Sequence, residues 1–112
     1  MELTIAHQPG YVLASTTGPL DASAEKTFRE QLFPLVGRGG TNLVLDLSHS
    51  NLISSQGVGQ LVTLVAHANT HSSRVILAAC SSFVSIVLTR CKLDKFFEMA
   101  SSVNDAVQSL GS

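Results

Sequence analysis

The residues of this chain best suited to chemistry lie in one short stretch, Ile53-Ser54-Ser55-Gln56-Gly57-Val58-Gly59. It gathers hydroxyls, an amide and two glycines between a short apolar run and an apolar pattern of helical spacing. A helix N-terminus offers unpaired backbone N–H groups and a positive dipole end, which favour a phosphate. Ser55 is therefore the candidate phosphoacceptor, and phosphorylation there would add about −1.5 to −2 charge at neutral pH. Residues 47 to 73 contain no Asp, Glu, Lys or Arg, so one such group would change what can dock. The plainer reading is that Ser54 or Ser55 caps the helix and the glycines allow close packing.

Other combinations are weaker. His67 and His71 are four apart on the same helical pattern, but His7 and His49 lie elsewhere and no third ligand falls at useful spacing. Solvated surface histidines are the expectation, with no metal site. Ser55, a histidine and Asp46 could suggest a hydrolase, yet there is no G-x-S-x-G elbow. Gly57-x-Gly59 alone is no dinucleotide fingerprint and no P-loop is present, so no cofactor is expected. Cys80 and Cys91 are embedded in apolar sequence and read as two buried thiols rather than a disulfide.

The chain has the size of one domain, 1–112. Hydrophobic residues make up 45 % and charged residues 13 %, which suits a packed core and excludes intrinsic disorder. Net charge is −1 with Lys and Arg scattered, so no basic stripe exists to neutralise a nucleic-acid backbone. The N-terminus lacks the apolar run of a secretory signal, and Ser, Asn, Gln and His break up the uncharged stretch too often for a membrane span. A cytoplasmic protein is the expectation.

Several elements must position the candidate site. Leu3, Ile5 and Tyr11 to Leu13 flank Pro9-Gly10, predicting a β-hairpin that ends near Thr17. Asp21 or Ser23 can cap a helix from about Ala24 to Val36, with Phe28, Leu32, Leu35 and Val36 on one face. Leu43 to Leu47 is short and almost wholly apolar, as in a central strand covered on both faces. The helix after the candidate site runs to Asn69 or Thr70. Val75 to Ala78 predicts a buried strand, and Phe83 to Leu88 a crossover helix in which Phe83, Ile86, Val87 and Arg90 share a face. Phe96 to Met99 predicts a last strand, and Ser102 to Asp105 a capping box opening a final helix, with Ala106, Val107 and Leu110 inward. The result is an α/β fold, a hairpin followed by a mostly parallel mixed sheet of about five strands with four helices.

Gly18-Pro19-Leu20-Asp21, Leu43-Val44-Leu45-Asp46-Leu47-Ser48 and Ile53 to Gly59, in that order and spacing, resemble the STAS domain of bacterial anti-sigma factor antagonists. The resemblance extends over essentially the whole chain, including Asp105-Ala106-Val107. The family's Asp-Ser-Ser/Thr-Gly motif falls on Ser54, Ser55, Gln56 and Gly57, so its phosphoacceptor matches Ser55. Ser54 stands in place of the aspartate and Gln56 in place of the small hydroxyl. The resemblance implies a binding module, not an enzyme. Its partner-binding residues would be Asp21, Ser54, Ser55, Gln56, Gly57, Val58 and Gly59. Partners would be an anti-sigma factor that is an ATP-binding serine kinase, and a PP2C-type phosphatase; a homodimer is open. The alternative is an accessory or scaffold subunit, as in an ABC-type lipid transporter, that docks without phosphorylation.

Overall fold

The chain opens with two strands, β1 (Glu2–Gln8) and β2 (Tyr11–Thr17), paired antiparallel in the register Gln8↔Tyr11. The tight turn between them needs φ of +85 at Gly10, a conformation that costs glycine nothing. This is the computed structural model of the chain, and it describes residues 1–110.

The first helical element, α1, covers residues 22–37 in unequal pieces: a 3-10 turn (Ala22–Ala24), an α turn (Glu25–Thr27), a π segment (Phe28–Leu32) and a closing α segment (Phe33–Gly37). The expected regular helix from Ala24 to Val36 is corrected in that respect. Pro34 has no N–H to give to the Glu30 carbonyl, and the Phe33 N–H bonds to Phe28, five residues back. The turn before a proline widens in this way when its hydrogen-bond ladder is interrupted. The expected inward residues Phe28, Leu32, Leu35 and Val36 are all buried.

Next come β3 (Asn42–His49), α2 (Ser55–Thr70), β4 (Arg74–Ala78), α3 (Ser82–Arg90), β5 (Glu98–Ala100) and α4 (Val103–Leu110). The sheet order is β1-β2-β3-β4-β5, and every pair after the hairpin is parallel. Each parallel step requires a crossover, which α1, α2 and α3 supply.

Period-two alternation along β3 explains its nearly unbroken apolar sequence. Leu43, Leu45 and Leu47 join the large core cluster with residues of α1, α2 and α3. Val44 points the other way and joins Ile76 and Ala78 against Ala106 of α4, with Val107 and Leu110 packed alongside. The sheet is thus covered on both faces, three helices on one and α4 on the other.

Four local expectations need correction. The last strand begins at Glu98 rather than Phe96: Phe96 and Phe97 both donate N–H to the Leu93 carbonyl in a helical turn, which seats Phe97 in the core. On α3 the buried seam is Val84 and Leu88, while Phe83 and Ile86 are exposed, because the i, i+4 pair meets the sheet. Cys91 is exposed at the end of α3 and Cys80 half-buried; both are free thiols, and burial pushes the Cys80 thiol up to about 11. At α4, Ser102 Oγ accepts the Asp105 N–H at 3.0 Å, but the Asp105 carboxylate takes the Ser101 hydroxyl. Aspartate is one methylene too short to close the box in the way glutamate does.

Candidate functional site

The carboxyl ends of β2 and β3 do not stop cleanly; they continue into two segments that run side by side. Register changes from Ser15↔Asp46 to Thr17↔His49, which places one extra residue in β3. A bulge of this kind bends a strand and re-aims its continuation. Past the bulge, Gly18 N–H donates to His49 O at 3.1 Å, Leu20 N–H to Leu52 O at 2.9 Å and Ser54 N–H to Leu20 O at 2.9 Å. Beneath the bend lies a buried hydroxyl pair, Thr16 Oγ1 and Ser50 Oγ, 2.6 Å apart. Thr16 also reaches the Asp46 carbonyl at 3.4 Å, so Ser50 donates to Thr16 and Thr16 donates onward. Asp46 itself serves the bend, its carboxylate accepting the Ser48 N–H at 3.0 Å and the Ser15 hydroxyl at 3.4 Å.

Ser54 is the N-cap of α2: its backbone is extended and its Oγ accepts the Gly57 N–H at 3.3 Å. The plainer reading therefore holds for Ser54. Ser55, the first helical residue, is exposed, and its hydroxyl makes only a 3.4 Å contact to Gln56 Oε1. Gln56 and Gly59 are exposed beside it, and Val58 is half-buried against the core.

Gly57 is buried for a reason absent from its own neighbourhood in sequence. A Cβ there would lie 2.0 Å from the Leu20 carbonyl oxygen, the same oxygen that accepts from Ser54. Gly59 differs: a Cβ there would meet nothing within 4 Å.

Asp21 lies at this end of the sheet, and its carboxylate turns to α1. It accepts the Ser23 N–H at 2.9 Å and the Ser23 hydroxyl, and the Ser23 hydroxyl and N–H hold that carboxyl below its ordinary range. The Asp21 backbone carbonyl accepts from Gln60 Nε2 at 3.3 Å, tying the start of α1 to the first turns of α2. Leu20 and Gln60, which lock the junction, were not expected from the sequence; their role depends on contacts dozens of residues apart. Leu52, also unforeseen, projects exposed from the loop before Ser54.

The two histidines depart from the expected solvated surface. Both are half-buried at the end of α2, with His67 5.8 Å from Phe33 and 4.4 Å from His71 between ring centroids. Among the described residues no group of three or more His, Cys, Asp or Glu could hold a metal ion. No helix among them is long and apolar enough to cross a membrane.

The arrangement is thus an exposed hydroxyl at the start of a rigidly anchored helix, with uncharged neighbours on α2 and the carboxylates of Asp21 and Glu25 on the α1 side. Beside it a pocket of about 400 Å³ opens between α1 and α2, lined by Gln56, Gly59 and Thr63 on one side and Glu25, Phe28 and Phe33 on the other. Among solved structures, a Thermotoga maritima protein described as a candidate anti-sigma factor antagonist superposes with a TM-score of 0.90 at 17% identity, covering 98% of this chain and 95% of its own. The phosphorylated form of SpoIIAA, a Bacillus cell fate determinant, matches at 0.74 and 17%, covering 97% and 99%. A murine solute carrier family 26 anion transporter matches at 0.78 and 18%, covering 91% of this chain and 18% of that one. At such identities the likeness shows the shared fold. The STAS domain family model matches residues 2–106, and the chain belongs to that family.

Proposed function

We propose that this chain is an anti-sigma factor antagonist-type binding module that changes partners when Ser55 is phosphorylated. The observation that carries the reading is the division of labour between adjacent serines: Ser54 spends its hydroxyl on the helix cap, while Ser55 leaves its own exposed at the first helical position. A relative of the same fold is described in a phosphorylated form. The partner would be an anti-sigma factor that is also an ATP-binding serine kinase, docking over Asp21 and Ser54 to Gly59, with a PP2C-type phosphatase to reset it. The switch is electrostatic. A phosphate introduced into an interface whose nearest formal charge is the Asp21 carboxylate must be desolvated without a counter-charge, and docking weakens. No catalytic step is assigned to the chain, and the setting would be cytoplasmic.

Incubation with the cognate kinase and ATP, followed by mass spectrometry, tests the acceptor. One phosphate on wild type and none on Ser55→Ala is expected; an unmodified wild type, or a phosphate that survives the substitution, rejects the assignment. Ser55→Asp should weaken the anti-sigma partner's binding by about tenfold, near 1.4 kcal/mol.

A second reading rests on Ser54 occupying the position of the family's aspartate and on the likeness to a transporter's domain. Here the same face would dock onto a transporter component without phosphorylation. A pull-down that recovers a membrane ATPase and no kinase favours it.

A further inference from the structure

Arg29, Arg38, His67 and His71 line one open pocket of about 430 Å³ between α1 and the far end of α2, with Phe33 among its walls and no carboxylate lining it. The chain has seven Lys and Arg and a net charge of −1, so two guanidinium groups and two imidazoles in one pocket form a local concentration of positive and donor groups. Glu25 offsets part of it by pairing with Arg29 on the exposed face of α1. Arg38 makes no ion pair among the described residues.

The orientation of His71 sets the chemistry. Its Nδ1 lies 2.9 Å from the His67 carbonyl oxygen. A carbonyl only accepts, so Nδ1 carries the proton, and Nε2 of the neutral ring is itself an acceptor. Protonation turns Nε2 into a donor and adds a charge. The ladder of Phe33, His67 and His71 rings holds this group in place. The charged and titratable groups facing it are His67 on its own helix and Arg29 and Arg38 on α1. Both helices end near here, and their carbonyl ends oppose an anion, so binding must come from side chains.

We propose that this pocket is a site for a tetrahedral oxyanion of phosphate type, held by the forked guanidinium donors of Arg29 and Arg38 and tightened when His71 is protonated. Arginine forks match such oxyanions geometrically. The site is independent of the switch proposed above, since His67 lies about 18 Å along α2 from Ser55 at the helical rise.

Sulfate is the probe, because it stays a dianion across the relevant pH range; ionic strength is held constant with chloride. NMR titration should show saturable shifts at Arg38, His67 and His71, with Kd at about pH 5.5 at least about fivefold below that at about pH 8. Arg38→Gln should weaken binding about tenfold at both pH values. His71→Gln should keep the affinity at high pH and lose most of the gain at low pH, His67 supplying the remainder. Calorimetry of wild type in two buffers of different ionisation enthalpy gives an answer without a substitution: sulfate binding near neutral pH should take up protons. Non-saturating shifts that chloride reproduces, a pH gain undiminished by His71→Gln, or binding without proton uptake would overturn the proposal. None of these readouts involves a kinase or Ser55, so they fail or succeed apart from the switch.

Discussion

Gly57 and Gly59 sit two residues apart on one helix and answer to different constraints. At Gly57 a methyl group would collide with the Leu20 carbonyl, a backbone atom held by the Ser54 N–H. Gly57→Ala should therefore destabilise the fold toward the upper end of the overpacking range, about 1–3 kcal/mol. Gly59→Ala meets open space and should stabilise by about 0.8–1 kcal/mol through helix propensity. Urea unfolding of the two variants checks both signs; equal effects would mean that the Leu20 contact is unimportant. The sequence marks both positions as glycine and cannot tell them apart, because the atom that distinguishes them comes from a segment 37 residues earlier. A serine cap at this helix start was legible, since it needs only the next three residues; that Ser54 rather than Ser55 supplies it was not.

At the scale of elements, the end of α2 was expected at Asn69 or Thr70 and falls at Thr70, although no glycine marks it. α2 closes with His71 as its cap, Ser72 N–H to Asn69 O at 3.4 Å and Ser73 N–H to Ala68 O at 2.8 Å. α3 closes in the same way, Lys92 N–H to Thr89 O and Leu93 N–H to Leu88 O, each at 2.9 Å. Both are Schellman closures, and both place a residue other than glycine in the left-handed region, Ser72 at φ 57 and Lys92 at φ 60. With no glycine to announce them, these ends had to be inferred from where the apolar spacing ran out. Ser72→Gly and Lys92→Gly should each raise stability by about 0.5–1 kcal/mol by relieving that strain. Thermal unfolding of the two single variants measures it, and a lower midpoint in either would argue that the serine or lysine side chain contributes more than the strain costs. Strand against helix at Phe83 to Leu88 was settled by topology, since parallel strands need a crossover; which side of that helix faces the sheet was not, because Phe83, Val84, Ile86, Val87 and Leu88 are all apolar.

For the molecule as a whole, the layer plan was readable from β3 alone: an apolar run without alternation implies cover on both faces, and the order of motifs along the chain matched the family it belongs to. Two carboxylates contribute to its stability on the acid side. Hydrogen bonding to Arg74 holds the Glu98 carboxyl below its ordinary value, and hydrogen bonding to Ser23 does the same for Asp21. A lowered folded value means that the stabilisation is complete above the ordinary value and disappears as pH falls through the folded one. Urea midpoints should therefore fall between about pH 5 and about pH 3, and Glu98→Gln should flatten part of that slope. The Arg74–Glu98 pair links the short β5 to β4, so hydrogen exchange at Met99 and Ala100 should quicken first in acid. Both groups are substantially exposed, and salt should reduce the Glu98 contribution.

The last described element, α4, is also the sole helix on its side of the sheet. Detachment of α4 alone would leave Val44, Ile76 and Ala78 as an apolar strip open to water, while the other face stayed roofed by three helices. That strip is where a locally opened form of this protein would engage a chaperone or stick to a neighbour.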